Sequence, residues 1–130
     1  MKKIMIVMTA ILMTASVANA CAGITITGKS GATYCLSKFQ MNWYSAYAWC
    51  KEQNMNLIEM GTTCGTNIGL CSELILSSAE QSKITEAGGN VGNVWTNTSD
   101  TSSNAVYVHL ISGGYHSNLS RKNSLYALCF

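Results

Sequence analysis

The residues of this chain with the plainest chemistry are its six cysteines, Cys21, Cys35, Cys50, Cys64, Cys71 and Cys129. A thiol can ligate a metal, exchange electrons or close a disulfide. Cys64 and Cys71 stand too far apart for a redox Cys-x-x-Cys, and His109 and His116 have no cysteine or carboxylate at ligand spacing. Disulfides remain, and they form in an oxidising compartment. The preceding segment agrees with export: Lys2 and Lys3 make a charged start, Ile4–Ala15 an apolar stretch, and Ala18-Asn19-Ala20 a small-x-small cleavage site. Residues 1–20 therefore read as a signal peptide and 21–130 as one secreted or periplasmic domain. A lipid anchor on Cys21 is disfavoured by Ala18, where a larger aliphatic residue is usual, by the polar Asn19, and by the odd thiol it would leave. No later stretch reaches the about 20 apolar residues of a membrane helix, so no transmembrane segment is expected.

Catalysis finds little to work with. No Gly-x-Ser-x-Gly elbow occurs, and one aspartate, Asp100, would have to serve both His109 and His116. The expectation is a protein that is not an enzyme and needs no cofactor or metal. Binding chemistry has more support: Tyr107, His109, Tyr115, His116, Asn118, Ser120 and Arg121 crowd the glycine-containing segment 97–122, and Tyr, Ser, Asn and Gly combine rigid aromatic area with adaptable hydrogen bonding. Nucleic acid is not the expected partner. Beyond the leader the basic side chains only balance the six acidic ones, and Arg121-Lys122 is the one adjacent basic pair.

The elements that must position these residues can be read from patterning. Ile24–Thr27 and Thr33–Leu36 are strand-like, with Gly28-Lys29-Ser30-Gly31 between them as a hairpin turn that Cys21 and Cys35 flank. Asn42 can cap a helix carrying Trp43, Ala46, Tyr47 and Cys50 at helical spacing, with Asn54 as a left-handed stop. Trp43, Tyr47 and Trp49 are read as helix packing rather than a ligand platform. Leu57–Met60 is extended. Cys64 and Cys71 bracket a small loop and are read as a structural staple, and Ser78-x-x-Gln81 has the form of a capping box for a second helix that Gly88-Gly89 ends. Val91–Asn97, Ala105–Ile111 and Leu125–Phe130 read as strands, with polar loops at 97–104 and 112–124.

Met41-Asn42-Trp43-Tyr44-Ser45-Ala46-Tyr47-Ala48-Trp49-Cys50, followed by a turn and Leu57-Ile58, resembles the first helix of C-type lectin-like domains. Val94-Trp95-Thr96 sits where that family has its Trp-containing strand, and Ala127-Leu128-Cys129-Phe130 resembles its closing strand. The resemblance covers Cys21–Phe130 and implies an α+β C-type lectin-like fold: two helices with short antiparallel β-sheets, disulfide-stapled. It also implies that Cys50 pairs with Cys129 and Cys21 with Cys35, which leaves Cys64 with Cys71. In this fold the corresponding loops and strands form the ligand face, making Trp95, Asn97, Tyr107, His109, Tyr115, His116, Asn118 and Arg121 the candidate ligand-binding residues. The calcium motifs of sugar-binding members, Glu-Pro-Asn or Gln-Pro-Asp and Trp-Asn-Asp, are missing from a chain with no proline, and calcium wants about six to eight oxygens. The expected function is an exported module that recognises a surface protein or glycan without calcium. The alternative is a self-assembling structural subunit of a bacterial surface appendage.

Overall fold

The computed structural model describes residues 21–65, 69–99 and 101–130, with the backbone alone at Asn118. The signal-peptide assignment lies outside the described residues. Strand β1 (Ile24–Thr27) buries Ile24 and Ile26 and turns Thr25 outward, the alternation its sequence prescribes. It pairs antiparallel with β2 (Thr33–Met41), Ile26 opposite Tyr34. Strand β2 runs five residues past the Leu36 end read from the sequence. Its ladder with the last strand is broken between Leu36 and Gln40, where the buried Ser37 hydroxyl accepts from Ala127 N at 2.9 Å and donates to Phe39 O at 2.8 Å. A side chain thus replaces the backbone partners that the irregularity removes.

Helix α1 (Trp43–Glu52) starts where Asn42 Oδ1 accepts from Ser45 N at 2.8 Å, and Asn54, at φ 58°, turns the chain away after it. It buries Ala46 and Cys50, one turn apart. Leu57 and Ile58 follow, tied to the last strand by a bridge from Leu57 to Cys129 and by Ile58 N to Leu128 O at 3.1 Å. A single π-helical turn (Met60–Cys64) and a 3-10 turn (Ser72–Leu74) precede helix α2 (Ser78–Glu86). The cap of α2 is one residue earlier than the pattern suggests: Ser77 Oγ accepts from Glu80 N, while Gln81 donates to Leu76 O. Either serine could supply the hydroxyl; Leu76, buried just upstream, sets where the chain enters the helix.

Strands β3 (Asn93–Ser99), β4 (Asn104–His109), β5 (Tyr115–Ser120) and β6 (Leu125–Cys129) complete a six-stranded sheet among the described residues, in the order β1-β2-β6-β3-β4-β5. Strand β5 corrects the expectation of an irregular loop over 112–124. Its polar side chains pair with β4 through the backbone, which patterning does not reveal. Strand β6 lies antiparallel to β2 and parallel to β3, and all five of its residues are buried. Leu125, Ala127 and Cys129 join Trp95, Ala105, Ala46, Cys50 and Leu57 on the α1 side. Tyr126 and Leu128 join Ile24, Ile26, Leu36, Val94, Val108, Leu74 and Ile84 on the other.

Three disulfides join Cys21 to Cys35, Cys50 to Cys129 and Cys64 to Cys71, the same pairs that the resemblance implies. They accord with an oxidising, extracytoplasmic location, and no helix among the described residues is long and apolar enough to cross a membrane. The β1–β2 turn is held without sulfur. Glu73 accepts from Ser30 N, Ser30 Oγ and Tyr34 Oη at 2.6–2.7 Å, and Gly28 leaves room, since a Cβ there would sit 2.5 Å from Glu73 Oε2. Partial burial pushes the Glu73 carboxyl up, but the donors from Ser30 and Tyr34 outweigh it and hold the group below its ordinary value. Glu80 is lowered too, by Lys83 first and then by the Thr27 amide.

Two outcomes follow from this bonding. Cys129→Ser is expected to cost about 4 to 5 kcal/mol in urea denaturation and the Cys64→Ser, Cys71→Ser pair roughly 2.5, because a crosslink spanning 79 residues restrains more of the unfolded chain than one spanning 7. Equal losses would refute the chain-entropy account. Because Glu73 and Glu80 titrate below the unfolded carboxylate value of about 4.3, their stabilisation is complete above that value and lost as pH falls through the folded values. The melting temperature should therefore drop below about pH 4, and Glu73→Gln should lower it at neutral pH while flattening the acid drop.

Candidate functional site

The sheet divides the residues that the sequence groups together. Tyr107 of β4 lies opposite Trp95 of β3 and His116 of β5, so one row crosses three strands from the buried centre to the exposed edge. Tyr107 and His116 meet with ring centroids 5.6 Å apart. Tyr107 is half-buried against the α1-side core and His116 is exposed. By strand alternation His109 shares that face, and its Nδ1 accepts from Ile111 N and Ser112 N at 3.4 and 3.3 Å, shaping the β4–β5 turn. Tyr115 packs against the opposite core and so belongs to the other face. Asn97 is half-buried, its amide donating to Ile58 O at 2.7 Å. Asn118 lies in β5, where only its backbone is described.

Two expected ligand contacts are corrected by burial. Trp95 is fully buried and its Nε1 donates to Met41 O at 3.0 Å, so its indole is a core element. Arg121 is 9% exposed. Its guanidinium donates to Ser99 Oγ and the carbonyls of Asn104 and Thr101, and stacks 4.1 Å above Trp43, while its own carbonyl accepts from Trp43 N. A buried cation with these partners clamps Ser99, Thr101 and Asn104 to the start of α1, and its neutral acceptors and aromatic face offset its desolvation. Sequence reading treats an arginine in a polar stretch as solvated because its acceptors come from Ser99 of β3, from Thr101 and from Asn104 of β4, and its stacking ring from α1.

The same contacts bring in Tyr44, which the sequence reading did not single out, beside Trp43 and Tyr47, which it took as helix packing. Trp43 donates from Nε1 to Thr96 O at 2.8 Å and stacks on Tyr47 at 5.5 Å, with Lys51 Nζ over the Tyr47 ring. Tyr44 stands edge-on to Trp43 and is 55% exposed. An aromatic ridge thus lies on α1, at the side of the core cluster that Tyr107 and Leu119 also cover. The signal was available: with Ala46 and Cys50 buried, a 3.6-residue period turns Tyr44 and Ala48 outward.

The β4–β5 turn is held by Leu70 and Cys71. Cys71 N donates to Gly113 O at 2.6 Å, Leu70 bridges Gly114, and Gly113, at φ 71°, lets the turn pass where a Cβ would meet Cys71 O at 2.6 Å. Among the described residues no group of three or more His, Cys, Asp or Glu side chains could hold a metal ion. The chemistry on offer is ring stacking, from Tyr44, Tyr47, Tyr107 and His116, together with hydrogen bonding by their polar tips. No family model and no curated protein sequence matches this chain.

The burial of Arg121 makes a direct prediction. Arg121→Ala should lower the melting temperature by several degrees, whereas His116→Ala should leave it within about one degree, since surface substitutions mostly fall within about 0.5 kcal/mol. Thermal melts monitored by circular dichroism decide it, and an unchanged Arg121→Ala melt would refute the clamp.

Proposed function

We propose that residues 21–130 form a C-type lectin-like, calcium-independent binding module, exported from the cell, that recognises a protein or glycan at a cell surface. The observation that carries the reading is two aromatic groups, the Tyr107–His116 pair and the Tyr44, Trp43 and Tyr47 ridge, whose Tyr107 and Trp43 pack against the same α1-side core. These rings sit on strands and a helix whose other faces are fixed in the core, so their presentation costs a ligand little ordering entropy. Support for the family comes from the order of elements, with helix, second helix, Trp-containing strand and closing strand in sequence, and from a disulfide joining α1 to that closing strand.

A second reading, an assembly subunit of a surface appendage, is favoured by Phe39. This aromatic is 78% exposed at the β2 irregularity, and it would gain by burial against a neighbouring copy. Glycan arrays and pull-down from envelope extracts, alongside sedimentation, separate the two. Saturable binding by the monomer supports the module, and concentration-dependent polymers that Phe39→Ala disperses support the subunit. For the module, Tyr44→Ala and His116→Ala should each weaken binding by about 2 kcal/mol, roughly thirtyfold, with the fold unchanged and EDTA without effect. Loss of binding in EDTA would overturn the calcium-independent reading.

A further inference from the structure

An open groove of about 490 Å³ lies between the β1–β2 turn and the π-helical turn. Its lining includes Ser30, Thr33, Tyr34, Thr62, Glu73 and Phe130. We propose that this groove takes the cationic side chain of a lysine or arginine from a protein partner.

Charge carries the argument. Among the described lining residues Glu73 carries the one side-chain carboxylate, and its three partners, Ser30 N, Ser30 Oγ and Tyr34 Oη, are all neutral. The ion pair found among the described residues is elsewhere, between Lys83 and Glu80. Those neutral donors fix the carboxylate in place and hold it ionised, and none of them cancels its charge. Oε2 accepts from both hydroxyls, while Oε1 accepts from Ser30 N alone, so Oε1 keeps acceptor capacity for an N–H from outside. The phenol of Tyr34 cannot share the charge: burial, and then its bond to Glu73, push its pKa far up, so it stays a donor. The partly exposed Phe130 ring supplies an apolar wall for the methylene stem and a π-face for the cation. The Thr33 and Thr62 hydroxyls at the rim supply further acceptors for its remaining hydrogens. A groove that holds both a fixed carboxylate and an exposed phenylalanine matches a long cationic side chain in both its parts.

The test is a titration of the ¹⁵N-labelled domain with Nα-acetyl-lysine methylamide and Nα-acetyl-arginine methylamide. The neutral Nε-acetylated lysine analogue and methyl glucoside serve as controls. Saturable shifts are expected at Ser30, Thr33 and Thr62 with the cationic probes, absent with the neutral analogue and weakened by salt. Glu73→Gln should reduce affinity at least about tenfold, the loss of a hydrogen bond to a charged group. Since that variant also loosens the hairpin, Thr62→Lys is the companion: it leaves Glu73 bonded and brings a tethered ammonium to the rim, so it should abolish the response with an unchanged melt. Equal shifts with the neutral analogue, stronger shifts with methyl glucoside, or full binding in Thr62→Lys would each overturn the proposal. Shifts confined to the Tyr107–His116 face would also overturn it, without bearing against that face as a site.

Discussion

The rest of the structure depends on one constraint, the placement of strand β6 between β2 and β3. The strand contributes the last backbone ladder to both halves of the sheet, antiparallel on one side and parallel on the other. Its five buried residues are shared between the two cores. Without it β1–β2 and β3–β4–β5 would be separate ribbons, each with an open edge and an uncovered apolar face. The Cys50–Cys129 bond lies at the end of this strand and fixes α1 on one face of it. The Leu57–Ile58 segment holds the same end through Leu57–Cys129 and through backbone bonds to Leu128 and to Asn97.

From that centre the order of the sheet decides what each surface can do. Moving outward through β3, β4 and β5, the α1-side row passes from the buried Trp95 to the half-buried Tyr107 to the exposed His116. Helix α1 covers the first part of that face, and its own outward side adds Tyr44 and Tyr47. The opposite end of the sheet is organised by a carboxylate instead of by rings, with Glu73 gathering the β1–β2 turn onto the 3-10 turn. One end of the molecule therefore offers aromatic stacking and the other a fixed negative charge.

Arg121 shows how a polar side chain serves such a scaffold. Its guanidinium spans the gap between Ser99 and Thr101 on one side and Trp43 on the other, so the arginine, the tryptophan and those two residues order one another. The cost of burying the charge is offset only when all of these partners are in place. Two of the three tryptophan indoles act in the same way, Trp43 donating to Thr96 O and Trp95 to Met41 O. Together they lock the junction of β2 and α1 to β3, which keeps the aromatic ridge in register with the sheet.

Local chemistry was legible in the sequence where it is decided within a few residues. The Asn42 cap, the αL stop at Asn54, the bounds of β1 and the alternation of β4 all follow from neighbours along the chain. The separation of cysteines into three pairs was legible too, once the helix and closing strand had been compared with a known domain type. Only the tertiary structure decided that 115–120 is a strand, because β5 is held by its backbone ladder to β4, with Tyr115 and Leu119 packing against different cores rather than forming one apolar face. It likewise decided that Arg121 is buried while Tyr44 is exposed. Hydrophobicity ranks those two side chains the other way, but burial depends on which elements pack against a position, and the carbonyls and ring that surround Arg121 come from parts of the chain that only folding brings together.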